Sequence, residues 1–396
     1  MKPLAISQFT VTTACGGGKA ALLDALRNGT SGLRRSGFDG SALDCWIGKI
    51  DALESPAAAL PAAEAAWECR ANRLVAAALR EDGFSDAVAA LRERLGAERI
   101  GVFVGTSAAG LHRAELAYRQ GAAAPGGVPA PFDYEHTQNM NSCAAFVRRR
   151  LGLHGCAATV SAACASSAKA FAAAARAIRM GLCDAAVVGG VDALCLTTLY
   201  GFNALQLISV DICRPADARR NGISIGEACG FAILLPQGPP GAPVLLGYGE
   251  SGDAHHMSAP EPDGRGAREA MRAALHSAAL APAAVDYINL HGTGTAANDL
   301  AEDRAVCAVF GSATACSSTK GWTGHTLGAA GMVEAAVSLL CIEHGIVPRS
   351  LNTRERDPQL HAAVQLQTRS APVACVLSNS FGFGGNNCSL LFGAAQ

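Results

Sequence analysis

Cys164 lies in a run of very small residues, Ser161-Ala-Ala-Cys164-Ala-Ser-Ser167, where a short β-like stretch from Cys156 to Val160 gives way to an alanine-rich helix reaching Met180. A strand that turns sharply into a helix leaves the first N–H groups of the helix without partners, and the positive end of the helix favours a thiolate there. Cysteine is often no more than a buried apolar residue, and the chain has fifteen. The position of Cys164, with nothing bulky beside its sulfur, is what suits a nucleophile that a substrate can approach closely. Three further stretches combine titratable side chains with glycine. His291-Gly-Thr-Gly-Thr295 follows directly on a strand, and Lys320 stands five residues before His325 in a chain with only five lysines against 27 arginines. The glycines of Ser378-Asn-Ser-Phe-Gly-Phe-Gly-Gly-Asn-Asn387 permit a tight turn able to aim N–H groups at an oxyanion. As a phosphate loop that stretch fails, because a strand (388–392) and not a helix follows it.

Positioning these groups falls to alternating strands and helices. Residues 4–13 read as a strand, 16–18 as a turn and 19–27 as a helix with Leu22, Leu23 and Leu26 at helical spacing. The Ala- and Pro-rich residues 51–63 read as a surface connection, followed by helices over 64–80 and 85–95 and a buried strand over 99–106. A loop spans 121–133, a helix 138–151 ends in Arg148-Arg-Arg150, and 184–192 is a strand apolar on both faces, as at the centre of a covered sheet. The pattern pauses at 237–242, which divides the chain into residues 1–240, carrying the cysteine, and 241–396, carrying the two histidines and the glycine-rich loop. The second half repeats the style, with a helix over 266–279, a strand over 285–290, a helix after Asp299 and a helix over 327–344. The class is α/β. Gly105-Thr106 and Gly292-Thr293, each after a strand, hint at duplication.

With 396 residues, half of them hydrophobic, the chain is longer than one core usually grows. A net charge of −1 supplies no basic field, so neither nucleic acid nor a membrane surface is implied as a partner. An odd number of cysteines without a C-x-x-C pair fits a reducing compartment, and no metal is expected. The first residues are too polar for a secretory signal, and no charge-free apolar run of eighteen residues occurs, so the expectation is a cytoplasmic protein.

Cys164 in its small-residue turn, His291-Gly-Thr-Gly-Thr295, the run from Lys320 through His325 to Gly-Ala-Ala-Gly331, and Asn379-Ser-Phe-Gly-Phe-Gly-Gly385 together resemble a condensing enzyme: a β-ketoacyl-acyl carrier protein synthase of the elongating Cys-His-His type. The resemblance runs from Ala21 to the last strand. Initiating synthases carry asparagine at the second histidine, and thiolases a second cysteine in a C-terminal motif that Cys388 does not match. What the resemblance implies is a thiolase-like fold, two similar βα halves in five α-β-α-β-α layers, usually dimeric. It implies decarboxylative condensation of an acyl chain on Cys164 with malonyl-acyl carrier protein, the oxyanion being held by the N–H groups of Cys164 and Phe381. His291 and His325 would donate to the enolate, and Lys320, Glu302 and Glu334 would orient His325. Thr293 and Thr295 would bind the pantetheine arm, Phe381 would gate the acyl and malonyl sites, and His256 and Phe383 would line the malonyl pocket. No cofactor is implied on the enzyme itself, because the carrier protein bears the 4'-phosphopantetheine.

Ala296 stands where the family usually has proline, Asn386 where it has threonine, and the segment between Ser209 and Arg214 is shorter than in housekeeping enzymes. Specialised polyene or polyketide chains are therefore as good a match as fatty acids. A catalytically silent partner, the chain-length factor of a ketosynthase heterodimer, is the alternative role, and Cys164 argues against it. An acidic carrier protein needs a local basic patch, for which the candidates are Arg70, Arg73, Arg148, Arg149, Arg150, Arg219 and Arg220, with most weight on Arg148 to Arg150.

Overall fold

The computed structural model describes residues 1–121, 127–129 and 132–394. Ten strands carry the architecture: β1 (Leu4–Thr13), β2 (Ile100–Gly105), β3 (Ala157–Val160), β4 (Ala185–Asp192) and β5 (Ala228–Leu235), then β6 (Val244–Gly252), β7 (Tyr287–Asn289), β8 (Ala315–Ser317), β9 (Cys375–Gly382) and β10 (Asn386–Gly393). The first five lie in the order β1-β5-β4-β2-β3 and the second five in the order β6-β10-β9-β7-β8. In both sets the first two pairings are antiparallel and the last two parallel. The weak repeat in the sequence is thus a repeat of topology. The halves join where β1 and β6 pair at Leu4 with Leu245 and Ala5 with Val244, giving one twelve-stranded sheet folded back on itself. The chain passes from one half to the other over residues 236–243.

Among the described residues, the α-helices longer than a single turn are α1 (Gly18–Asn28), α2 (Arg70–Ala78), α3 (Phe84–Leu95), α4 (Leu111–Gly121), α5 (Ser142–Arg150), α6 (Ser166–Arg179), α7 (Leu196–Ala204), α8 (Arg265–Ala278), α9 (Ala296–Phe310) and α10 (Ala330–His344). Strands alternate their side chains between faces. In β4, Ala186 and Val188 pack inward against α6 and α10, while Val187 and Val191 join Leu74, Val88 and Phe146 of the outer helices α2, α3 and α5. In β9 and β10, Val376 and Leu390 face inward, and Leu377 and Leu391 meet α8 and α9. The result is five layers, α-β-α-β-α. Leu327–His344 is apolar and long enough by composition to cross a membrane, yet here it is the buried middle layer.

Alanine dominates that layer because two helices must fit between two sheets. A Cβ added to Gly331 would fall 2.6 Å from the backbone nitrogen of Ala168 and 2.8 Å from its Cβ, so α6 and α10 touch nearly backbone to backbone. Their N-termini meet at the same place, where the Met332 N–H donates to Ser167 Oγ at 2.9 Å.

Elsewhere the structure departs from the sequence reading. The helix expected over 64–80 is a 3-10 segment, Ala62–Trp67, followed by the separate helix α2, and the connection before it is built of 3-10 turns. The helix expected from 138 starts only at Ser142, after a π-turn over Tyr134–Gln138. The loop expected over 121–133 lies largely outside the described residues. The glycine-rich stretch 378–387 is mostly strand, with only Phe383–Gly385 forming the turn between β9 and β10. Two α-helices longer than a single turn were not anticipated, α4 and α7. Only Leu199 is buried in α7, which therefore has no apolar stripe; its first N–H groups, Leu196 and Thr197, are taken by the distant carboxylate of Glu115.

Gly331→Ala is expected to force the two central helices apart and to lower folding stability by about 1–3 kcal/mol. The urea midpoint measures this; an unshifted midpoint would show that the helices separate freely.

Candidate active site

The turn between β3 and α6 is held by its own residues. Ala163 adopts a left-handed conformation (φ 49°), and Ser166 Oγ reaches back to accept from Ala162 N–H at 2.9 Å and to donate to the Ala163 carbonyl. Such a φ is costly for a residue with a Cβ and persists because the surroundings fix it. It lifts Cys164 out of the chain at the N-terminal end of α6, 6% exposed. Gly382 packs against this turn: a Cβ there would lie 3.1 Å from the nitrogens of Cys164 and Ala165. Burial pushes the Cys164 thiol up to about 12, while the charge of Lys320 and the main-chain N–H of Phe383 pull the other way. The oxyanion assignment to Phe381 is therefore corrected: Phe381 stands within the β9–β10 ladder opposite Asn387, and it is Phe383, beyond the strand end, whose N–H is directed at the sulfur.

His325 Nε2 lies 3.1 Å from Cys164 Sγ. The Leu327 N–H donates to His325 Nδ1 at 3.3 Å, so the ring proton belongs on Nε2, facing the sulfur. The His325 main chain is bound on both sides, its N–H to Ser224 O and its carbonyl to Gly226 N–H. His291 stands edge-on to His325 with ring centroids 5.2 Å apart. Both imidazoles are held well below the usual histidine range, first by burial and then by the charge of Lys320. Both are neutral at neutral pH.

The expectation that Lys320, Glu302 and Glu334 orient His325 is corrected. Lys320 Nζ donates to the His291 carbonyl, lies 3.5 Å from His291 Nδ1 and pairs with Glu334. Glu302 accepts the N–H groups of His291 at 2.8 Å and Gly292 at 2.7 Å, together with the Asn379 amide at 3.1 Å. All three thus brace His291, because β7 ends beside β8 and the N-terminal part of α9 lies over the loop. Burial raises both glutamates to about 7, so each depends on its donors to stay ionised.

Cys164, His291 and His325 floor a cavity of about 280 Å³. Thr293 and Thr295 line it, their hydroxyls 2.9 Å apart, and the Phe383 ring stands at its side 5.5 Å from that of Phe202. His256 does not line it: the side chain is exposed, its Nδ1 taken by Ser258 N–H, and Ser258, Ala259 and Pro260 form that wall instead. Two of the docking arginines are likewise corrected. Arg70 is buried in a two-pronged pair with Glu227, and Arg220 is buried against Asp357 and Asp299. Arg73 pairs with Glu68 and Arg150 with Glu64, and Arg149 and Arg219 are exposed.

The ligand atoms of Cys164, His291 and His325 lie within 4.8 Å of one another, close enough for a metal ion. The tautomer opposes one, since the His325 nitrogen on that side bears a proton and has no lone pair to give.

Residues 55–238 match the family model of the β-ketoacyl synthase N-terminal domain, and residues 243–354 that of its C-terminal domain. The chain belongs to the β-ketoacyl synthase family. It is 39% identical over 277 residues to the mitochondrial 3-oxoacyl-[acyl-carrier-protein] synthase of Arabidopsis thaliana, covering 64% of this chain and 59% of that protein. It is 36% identical over 306 residues to nodulation protein E of Rhizobium meliloti, covering 74% and 75%. Among solved structures it is similar to a chain of the ketosynthase ApeO in complex with its chain length factor ApeC from Xenorhabdus doucetiae, with TM-score 0.90, 38% identity, and 100% and 98% of the two chains covered. The ishigamide ketosynthase/chain length factor matches with TM-score 0.89 and 29% identity over the full length of both chains. The thiolase-like fold expected from the sequence is the fold of these ketosynthases, and the chain is an acyltransferase of the condensing type.

One residue of this β-ketoacyl synthase site escaped the sequence reading. Asp192, fully buried at the end of β4, accepts from Thr106 Oγ1, Ser107 N–H and Oγ, Ala108 N–H and Gly328 N–H, tying the loop after β2 to the segment that carries His325. A lone acid closing an otherwise apolar strand, Ala185-Ala-Val-Val-Gly-Gly-Val-Asp192, was the signal for it. For the Lys320–Glu334 pair, Lys320→Met is expected to cost about 3–5 kcal/mol by leaving a buried acid without its cation. Lys320→Met/Glu334→Gln should recover part of that loss in denaturant unfolding; no recovery would mean that the pair is not the source.

Proposed function

We propose that the protein extends an acyl chain bound to an acyl carrier protein by two carbons. Cys164 attacks the acyl thioester; the carrier's sulfur leaves and takes up the proton lost by the thiol, giving acyl-Cys164 and a free carrier thiol. The N–H groups of Cys164 and Phe383 would hold the oxyanion of this step. A malonyl thioester then enters on its pantetheine arm past Thr293 and Thr295. Loss of carbon dioxide leaves an enolate whose oxygen would accept from the Nε2–H groups of His291 and His325. The enolate carbon attacks the acyl-Cys164 carbonyl, the C–S bond breaks, and the thiolate takes a proton from solvent as the 3-oxoacyl carrier departs. Donors that grip an enolate more tightly than a ground-state thioester lower the barrier, whereas equal grip on both would not.

The observation that carries this reading is the neutral, Nε2-protonated His325 at 3.1 Å from Cys164 Sγ, with His291 beside it on the same cavity floor. The enzyme would need no cofactor of its own, the phosphopantetheine arriving on its carrier. Cys164 favours a catalytic subunit over a silent chain-length factor. Dimerisation, with an identical chain or a second ketosynthase-like subunit, is supported by β3, the last strand in the sheet order and half-buried over its whole length. Full-length likeness to chains of ketosynthase/chain length factor complexes and the short 209–214 segment favour polyene or polyketide extension in such a heterodimer over housekeeping fatty-acid synthesis. All cysteines are unpaired thiols, in keeping with a cytoplasmic site of action.

Supplied with acyl- and malonyl-carrier proteins from the same genome, the enzyme is expected to yield 3-oxoacyl-carrier by mass spectrometry, and Cys164→Ala to yield none and to resist thiol labelling in the cavity. His291→Ala and His325→Ala should keep acylation and lose condensation by about a hundredfold or more; loss of acylation alone would reverse the assignment. Because burial keeps both imidazoles neutral, the ring nitrogen NMR shifts of His291 and His325 should stay in the neutral-imidazole range as pH falls from about 7.5 to about 6, even as Glu302 and Glu334, raised to about 7, take up protons. Protonation of either ring centred near the ordinary histidine value, about 6.5, would show that it is not suppressed.

A further inference from the structure

A cleft of about 520 Å³ opens outside the catalytic cavity, and five of its lining side chains are arginines: Arg35, Arg214, Arg219, Arg349 and Arg354. One carboxylate, Asp211, faces them, so the cleft is strongly positive in a chain whose net charge is −1. Arg214 pairs with Asp211, and Arg35 with the exposed Asp44. Among the described residues, Arg219, Arg349 and Arg354 form no ion pair, and the buried Nε atoms of Arg214 and Arg349 have no hydrogen-bond partner. Such concentration is not an accident of loose side chains. The single carboxylate of Asp217 accepts the N–H groups of both Arg219 (2.9 Å) and Arg354 (2.7 Å), fixing two guanidinium stems side by side although they are far apart in sequence.

The cleft shares a wall with the catalytic cavity. Leu207 lines the cavity and Asp211 the cleft, so at most about 14 Å of extended chain separates them. The intervening segment is fastened to both sides: Cys213 Sγ donates to the carbonyl of Thr293, which lines the cavity, and the Asn352 amide of the cleft donates to the Cys213 carbonyl at 3.0 Å.

We infer that this arginine cleft, and not the arginine run at the end of α5, seats the acidic carrier protein whose arm enters beside Thr293. The inference rests on the carrier-dependent reading above. Acidic side chains of the carrier meet the unpaired guanidiniums of Arg219, Arg349 and Arg354, and the shared wall keeps the docked carrier within reach of the cavity. Of the seven arginines singled out in the sequence, Arg219 alone lines this cleft. Arg149, exposed on the last turn of α5, lines neither the cleft nor the cavity.

The test compares wild type, Arg219→Glu/Arg354→Glu and Arg149→Glu in two assays: direct titration with holo-carrier protein from the same genome, and condensation using malonyl on that carrier or on N-acetylcysteamine. The double variant is expected to bind holo-carrier at least about tenfold more weakly, with KM for malonyl-carrier raised, kcat nearly unchanged and a flatter salt dependence. The loss should be confined to the carrier-borne substrate, and Arg149→Glu should behave as wild type. Unchanged carrier binding in the double variant, equal loss with both thioesters, or a carrier defect in Arg149→Glu would overturn the cleft assignment. Condensation by wild type together with any of those results leaves the functional reading standing; wild type that binds carrier through the cleft yet forms no product would sink the functional reading instead.

Discussion

Everything at the cavity floor depends on how closely two helices can be brought together between two sheets. Each half of the chain sends a helix inward from the end of its third strand, and the N-termini of α6 and α10 meet where Gly331 lies against Ala168 and Ser167 takes the Met332 N–H. Cys164 precedes one of these helices by two residues and His325 the other by five. Larger side chains in the alanine-rich layer would widen the gap, and the 3.1 Å approach of sulfur to imidazole would be lost. Catalytic geometry and core packing are here the same constraint, in keeping with the low tolerance of close-packed interiors for added volume.

Electrostatics within this layer is arranged by depth. Burial keeps Cys164 a thiol and both imidazoles neutral, and it raises Glu302 and Glu334 to about 7 even against the donors that favour their ionised form. One cation, Lys320, is placed among them. It stabilises Glu334 and opposes any second positive charge on the histidines. The same charge that would favour a thiolate thus also keeps the imidazoles as neutral donors.

Much of this was legible in the sequence. Cys164, His291, His325 and Lys320 declared themselves by residue type beside glycine and small residues, and the alternation of strands and helices pointed to the class. Three things were not legible, each for a physical reason. Which histidine Lys320 serves depends on β7 and β8 lying side by side, a long-range pairing with no local signal. Which phenylalanine presents its N–H depends on where the β9 ladder stops, and strand ends depend on pairing more than on propensity. That Arg70 and Arg220 are interior ion-pair partners is invisible without Glu227, Asp299 and Asp357, which are distant in the chain.

The two histidines also differ in what keeps them in their working form. His291 leans on side chains, Lys320 and Glu302, either of which a single codon change removes. His325 takes its tautomer from the main-chain N–H of Leu327, a residue held at φ 53°, outside the comfortable range of a leucine. A backbone donor is retained under nearly every substitution except proline. Evolutionary drift around the cavity can therefore retune or retire the first imidazole residue by residue, while the second persists for as long as the turn that carries it folds.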